Sequence, residues 1–463
     1  MTFRAVNPAT GELLYEMPSL SASQRETLLA RTAAEQQRWR IATLEQRARF
    51  IVALGAALRR HREALAETLT LEMGKPINAA RAEVDKCAVL CDVAPAMART
   101  ALADEIVLDD ATATVRVRHD PLGCVLAIMP WNFPYWQALR FAVPALLAGN
   151  GIIVKPAPSV PGPAKLLDEC LDDARAAVAH TGTPPAPCHV ALLPLDALDA
   201  IIADRRIVGV TLTGSDRAGR HVAQVAGAHL KKVVLELGGS DPFIVLPSAD
   251  IAQAAKVAVS ARTVNAGQSC IAAKRFIVCD VVYEEFLARF TDGMRALITG
   301  DPSDERTQIG PIATESVRDG LAAQVRAAVD AGARVVVGGD ADGLPGFFYP
   351  PTVLVDIPER TPTAREELFG PVAMVFRETD MDACIARAND SPFGLGASVW
   401  TNDAHERDRC IAALDVGMVF VNEMVASDPR YPFGGVKQSG VGRELGLLGF
   451  REFTNAKTVR IAR

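Results

Sequence analysis

Cys270 stands in NAGQSCIAA, residues 265–273, where Ala266, Gly267 and Ser269 leave its sulfur approachable, after a helical stretch and before a run that reads as a strand. Cysteine is the most nucleophilic common side chain, so an unobstructed one is a candidate for covalent catalysis; a core cysteine is the alternative. Glu236 lies inside VVLELGGSDPF, flanked by Val233, Val234, Leu235 and Leu237. A carboxylate in a buried apolar strand is disfavoured as an anion, which raises its pKa toward the range of a general base. An edge strand would instead leave it in water. The glycines that follow allow close approach to a ligand. Lys155 ends the apolar run GIIVKP, where ligands sit in open α/β sheets, although a lysine emerging to solvent reads the same way. Residues 213–219, TGSDRAG, follow IVGVTLT and open a helix. There the free backbone N–H groups around Gly214 and Ser215 can hold a phosphate, or simply cap the helix. No GxGxxG follows any candidate strand, so the standard Rossmann phosphate turn is absent.

The elements that must position these residues are legible from periodicity. From Ser23 to about Arg99 the pattern is amphipathic and helical, reading as two or three helices broken by the Gly74-Lys75-Pro76 turn,. ATATVRVRHDP, residues 111–121, alternates as a half-exposed antiparallel strand does. The apolar runs VLAIM, GIIVKP, HVALLP, IVGVTLT and VVLEL are separated by helical segments, the pattern of a parallel, doubly wound sheet buried on both faces,. After residue 250 the alternation restarts, with AKVAVSARTVNA and YEEFLARFTDGMRALI as helices and KRFIVCD and ARVVVGG as strands, which predicts a second α/β domain. The C-terminal FREFTNAKTVRIAR alternates like 111–121, and the two are expected to pair into a small projecting sheet.

Composition narrows the class. The chain has 463 residues, too many for one ordinary core, so two or three domains are expected,. With 49% apolar residues, 22% charged and a net charge of −6, it reads as globular and nucleic acid is not an expected partner,. The N-terminus lacks a secretory pattern and the uncharged stretch 121–139 is broken by three prolines, so a cytoplasmic, non-membrane protein is expected,. The nine cysteines are scattered without a CxxC pair and the seven histidines lack metal spacing, so neither a disulfide framework nor a metal site is indicated,.

Across nearly the whole chain, PWNFP (130–134), KPAPS (155–159), TGSDRAG (213–219), LELGGSDP (235–242), NAGQSC (265–270), EELFGPV (366–372), NDSPFGLGASVW (389–400) and PFGGVKQSGVGRELG (432–446) resemble the aldehyde dehydrogenase superfamily in order and type. The resemblance implies a dinucleotide-binding domain from 1–107 and 123–236, a catalytic domain from 237–446, and an oligomerisation arm from 108–122 and 447–463 that joins a neighbour's sheet in a homodimer or homotetramer. It implies that Cys270 attacks the aldehyde, that Asn132 and the Cys270 N–H form the oxyanion hole, and that Glu236 activates the water that hydrolyses the thioester. Trp131 and Phe369 would line the cofactor cleft, Lys155 and Glu367 would hold riboses, and Gly214 and Ser215 the pyrophosphate. Glu444 is similar to a second carboxylate used in proton transfer.

Two departures bear on specificity. Many NAD-preferring members carry a glutamate three residues after the lysine; here Pro158 and then Ser159 stand there, so a 2′-phosphate is not repelled and NAD(P), with NADP tolerated or preferred, is expected. Arg140 and Ser427 fall where succinate-semialdehyde dehydrogenases bind the substrate carboxylate, and an arginine suits a carboxylate through paired hydrogen bonds. The second arginine of the commoner form, six residues before the cysteine, is Val264, so the clamp is incomplete or is completed by Arg430 or Arg262. The expected reaction is oxidation of succinate semialdehyde or a homologue such as glutarate semialdehyde. The alternatives are a broad aliphatic or aromatic aldehyde dehydrogenase, a coenzyme A-acylating enzyme, which the retained Glu236 disfavours, and a structural member of the kind some lens crystallins resemble.

Overall fold

The computed structural model describes residues 2–341, 343–358 and 361–463. The N-terminal helical stretch forms four helices, Ala22–Trp39, Leu44–Arg60, Arg62–Met73 and Ile77–Ala101, where two or three were expected. The added break falls at His61, which ends one helix and begins the next. No glycine or proline marks it, so periodicity carries no signal there. The first two helices open on capping boxes in which Ser21 and Thr43 exchange hydrogen bonds with Gln24 and Gln46,.

A six-stranded sheet has the order Gly440–Val441, Lys232–Glu236, Ile207–Thr213, Cys124–Ile128, Gly151–Lys155 and Cys188–Val190. Its strands run parallel except for Gly440–Val441 at the edge. In the central strand Cys124, Leu126 and Ile128 pack into one apolar cluster while Val125 and Ala127 pack into another. Both faces are therefore covered by helices, and that is why these strands read as unbroken apolar runs.

The second α/β unit has seven strands in the order Arg334–Val337, Thr352–Val355, Val372–Glu378, Ala273–Cys279, Asp241–Val245, Gly396–Trp400 and Met418–Val421. ARVVVGG is a strand as expected, but as Arg334–Val337 it lies antiparallel at the edge of an otherwise parallel sheet. Phe243, Phe276, Phe286, Phe290 and Trp400 stack on one face, with the Phe276 and Phe290 centroids 4.6 Å apart,.

Ala113–Pro121 and Thr454–Ala462 pair antiparallel along their whole lengths, from Ala113 opposite Ala462 to Pro121 opposite Thr454, and form the projecting sheet read from their alternation. Glu105–Asp109 adds a third strand, with Ile106, Val107 and Leu108 exposed. The helix Gly446–Arg451 instead lies against Ile77–Ala101, where Arg451 Nε donates to the Ala101 carbonyl at 2.7 Å.

Residues 237–240 alone link Lys232–Glu236 of the first sheet to Asp241–Val245 of the second. The carboxyl edge of one parallel sheet thus meets the amino edge of the other. Asn132, Lys155, Gly214, Ser215 and Glu236 all end or follow strands of the first sheet, and Cys270 precedes Ala273–Cys279 of the second. The seam where ligands bind in open α/β sheets therefore receives catalytic candidates from both sides. Among the described residues no helix is long and apolar enough to cross a membrane.

Candidate active site

The loop that carries Cys270 is strained and heavily tied. After the helix Ile251–Thr263, Asn265 (φ 54, ψ 45) and Ala266 (φ 52, ψ 34) adopt left-handed conformations, and Gly267 continues with φ 76. Such backbone costs a non-glycine residue about 1–3 kcal/mol and persists only where its surroundings hold it. Here Asn265 Nδ2 donates to the Asn132 carbonyl at 2.9 Å, and Gln268 Nε2 donates to the Asn265 carbonyl at 3.1 Å. Buried Arg262 donates to the Gly267 carbonyl at 2.7 Å. Lys274 Nζ donates to the carbonyls of Ser269 and Cys270 at 2.6 and 2.7 Å. Glycine is required at 267, because a Cβ there would stand 2.3 Å from the Gly370 carbonyl. The backbone is held on both sides of Cys270, while no backbone partner engages the Cys270 N–H among the described residues. Asn132 Nδ2 spends one hydrogen on the Gln268 carbonyl at 3.0 Å, and its other hydrogen meets no acceptor among the described residues.

Cys270 lines two cavities at once. One, of about 260 Å³, is walled by Phe133, Trp136, Ile271, Met424, Val425 and Phe433 together with Lys75, Glu83, Lys86, Arg140 and Ser427. The other, of about 280 Å³, is walled by Trp131, Asn132, Gly214, Ser215, Gly238, Glu367 and Phe369. Burial pushes the Cys270 thiol up to about 12, against the opposing charges of Arg140 and Lys274, so the resting side chain is protonated at neutral pH. Below its pKa the thiolate fraction gains about tenfold per pH unit. Iodoacetamide alkylation of Cys270 in the cofactor-free protein, followed by peptide mass spectrometry, should therefore accelerate about tenfold per unit from pH 7 to 9. A plateau near pH 8 would mean that the sulfur is already ionised.

Glu236 is buried, and neither carboxylate oxygen has a hydrogen-bond partner among the described residues. Burial lifts its pKa well above the usual carboxylate range; Arg140 opposes and Glu444 reinforces that shift. A Cβ at position 434 would stand 2.6 Å from Glu236 Oε1, so Gly434 makes the room this side chain occupies. Glu236 forms part of neither cavity wall.

Arg140 lines the cavity of Cys270, but its Nε is bonded to Glu444 Oε2, and its guanidinium lies 4.4 Å over the Phe433 ring. Burial works against its charge, and the fields of Glu444, Glu236 and Cys270 outweigh that and raise its pKa. Glu444 is thus the counter-ion of Arg140. Ser427 Oγ accepts from Lys86 Nζ at 2.7 Å and from Trp136 Nε1 at 3.0 Å. Val264 adds apolar wall where the second arginine is missing. Arg262 and Arg430 lie outside that wall: Arg262 is committed to the Cys270 loop, and exposed Arg430 forms a fork with Asp428.

The second cavity carries groups that suit a dinucleotide. Trp131 and Phe369 meet edge to face, with centroids 5.7 Å apart, and form a flat-sided slot,. Gly214 leads into the helix Asp216–Ala228, whose first turn is capped by Ser215 Oγ accepting from the Ala218 N–H at 3.3 Å. That hydroxyl already serves as the cap, which leaves the other N–H groups of the turn for a phosphate. Glu367 accepts from the Gly239 N–H at 3.1 Å and pairs with buried Lys274 at 3.4 Å. Lys155 ends the neighbouring strand outside this wall, buried and without an ion pair among the described residues, and burial draws its pKa down to about 8. A buried cation left without an anion fits a phosphate or a ribose hydroxyl better than it fits an apolar core. Ser159 is half-buried four residues on. The set fits a dinucleotide, with no carboxylate at Pro158 to repel a 2′-phosphate.

Several supporting groups escaped the sequence reading. Lys75 and Glu83 form a fully buried pair; Lys75 also donates to the Asn132 carbonyl at 2.9 Å, while Glu83 accepts from the N–H groups of Tyr135 and Trp136 at 3.0 and 3.1 Å. Together they anchor the PWNFP loop. The signal was available: Glu83 shares a helical face with Ala80, Val84 and Cys87, all buried, and a lone carboxylate in an apolar stripe implies a partner. Gln268 lies within NAGQSC, but its neighbours in sequence do not show that it braces the loop through the Asn265 carbonyl. Lys86 carried no sequence signal.

Two facing α/β sheets with Cys270 in the seam, lining both a largely apolar cavity and one that fits a dinucleotide, are the arrangement of a dinucleotide-dependent oxidoreductase. The chain belongs to the aldehyde dehydrogenase family, whose pattern it matches over residues 1–459. It is 46% identical over 462 residues to a probable NADP(+)-dependent succinate-semialdehyde dehydrogenase of Synechocystis, covering all of both chains. It is also 46% identical, over 464 residues, to the succinate-semialdehyde dehydrogenase [NADP(+)] of Mycobacterium avium, covering all of this chain and 97% of that one. A crystal structure of succinic semialdehyde dehydrogenase from Streptococcus pyogenes in complex with NADP+ superposes with a TM-score of 0.94, at 34% identity and full coverage of both chains.

Proposed function

We propose that the protein oxidises succinate semialdehyde, or a homologue such as glutarate semialdehyde, to the dicarboxylate with NADP+. The observation that carries this is the position of Cys270 in the walls of two cavities, one bearing cationic groups among apolar walls and the other shaped for a dinucleotide. The names of the Synechocystis and Mycobacterium avium relatives support the substrate and the cofactor.

Cys270 Sγ, its proton released to solvent water, adds to the aldehyde carbon, and the carbonyl oxygen becomes an oxyanion. The free hydrogen of Asn132 Nδ2 and the Cys270 N–H stabilise that charge as it forms, in a site that water reaches poorly. A nicotinamide dinucleotide held in the second cavity would supply the acceptor for the aldehyde hydrogen together with its electron pair. Loss of that hydrogen and pair from the adduct would leave a thioester on Cys270. Glu236, whose carboxyl no hydrogen bond holds among the described residues, turns toward the thioester, takes a proton from water and lets the hydroxide displace Sγ as the leaving thiolate. Glu444 keeps Arg140 fixed in the substrate wall, and Lys155, Ser159, Gly214, Ser215 and Glu367, with Trp131 and Phe369 as the slot, hold the cofactor. The three-stranded arm, with Ile106, Val107, Leu108 and Ile461 exposed, suits pairing with another copy in a homodimer or homotetramer,.

Initial rates with succinate semialdehyde and with butanal, each with NADP+ and NAD+, test the reading. Succinate semialdehyde with NADP+ should have the highest kcat/KM. A preference for butanal would overturn the substrate, and a preference for NAD+ the cofactor.

A further inference from the structure

We propose that Lys86, acting with the Ser427 hydroxyl, receives the substrate carboxylate and so selects aldehyde acids over uncharged aldehydes; this rests on the semialdehyde reading above. The cationic members of the cavity wall beside Cys270 are Lys75, Lys86 and Arg140, and its acid is Glu83. Lys75 is cancelled by Glu83 and Arg140 by Glu444, each pair buried. Lys86 forms no ion pair among the described residues. The acids whose fields reach it are Glu83 and Asp428; the first is committed to Lys75 and the second to Arg430, whose Nη2 lies 2.7 Å from Asp428 Oδ2. The wall that shares space with Cys270 therefore carries one uncancelled positive charge, at Lys86.

The geometry around Lys86 supplies donors as well as charge. Its Nζ lies 4.2 Å from the Trp136 ring centroid and donates to Ser427 Oγ at 2.7 Å, which fixes the head group and leaves two of its three hydrogens,. Ser427 Oγ already accepts from two donors, Lys86 and Trp136 Nε1. Its own hydrogen must point away from both, and no acceptor takes it among the described residues. An ammonium and a hydroxyl hydrogen side by side match the two oxygens of one carboxylate, and both are held before the ligand arrives. Arg140 is by contrast a positioning residue, locked through Nε to Glu444 and stacked on Phe433.

The test compares kcat/KM for succinate semialdehyde with that for butanal, which has the same chain length and no charge, in the full-length protein. In Lys86→Met the ratio of the two should fall about 10- to 100-fold, the value of one charge-assisted contact. Lys86→Arg, which keeps charge and donors, should hold the ratio within about fivefold. Lys86→Gln, which keeps an amide donor for Ser427, should fall as Met does, and it serves if the apolar variant does not accumulate. Succinate should compete with butanal in the parent, and about 10- to 100-fold more weakly in Lys86→Met or Lys86→Gln. A parent that does not prefer the semialdehyde overturns the substrate reading itself. A parent that prefers it, with Lys86→Met and Lys86→Gln keeping that preference or losing both substrates equally, overturns the assignment of Lys86 alone.

Discussion

Cys270→Ala is expected to lower kcat/KM for aldehyde oxidation by about 10⁵-fold or more, the order lost when the attacking group of a covalent catalyst is removed. The covalent route has no substitute, because the donors around the oxyanion position stabilise an adduct that alanine cannot form. The substitution deletes one sulfur from a loop whose conformation is set by Arg262, Asn265, Gln268 and Lys274. The walls of the dinucleotide cavity should therefore survive, and NADP+ titrated against intrinsic tryptophan fluorescence should bind within about threefold of the parent. Oxidation persisting within about tenfold of the parent would remove Cys270 from the chemistry.

Glu236→Gln separates the two halves of the reaction. Water must be deprotonated to hydrolyse the thioester, whereas formation of the thioester does not need that base. Steady-state kcat should fall about 10²- to 10⁴-fold, the contribution of a positioned general base, while a rapid first turnover of reduced cofactor remains, close to one per active site. Stopped-flow absorbance at 340 nm resolves the two phases. The parent adds a pH signature. Because burial raises the Glu236 pKa well above the usual carboxylate range, the base is disabled by protonation at low pH, and kcat should climb as pH rises through that raised value. The climb should vanish in Glu236→Gln. Loss of the first-turnover phase in the variant would assign Glu236 to the attack step.

Much of this protein is written locally in its chain. The five parallel strands of the first sheet were visible because strands covered on both faces leave no polar alternation, and the arm was visible because its strands are half wet. The motifs around Cys270, Glu236 and Asn132 were legible because each consists of neighbours in sequence. Strand ends were less legible: HVALLP shortens to Cys188–Val190, and ARVVVGG joins its sheet antiparallel, since pairing direction is decided by a partner far along the chain.

The amino-acid sequence by itself thus determined the family and the fold class, and it named Cys270 and Glu236 as the candidate nucleophile and base. Tertiary structure alone decided which charges remain free. Glu444 and Arg140 are far apart in the chain, as are Lys86 and Ser427, yet each pair is in contact. Whether a buried cation serves a ligand or is cancelled by a carboxylate depends on what folding brings within about 4 Å of it, and no local pattern encodes that distance.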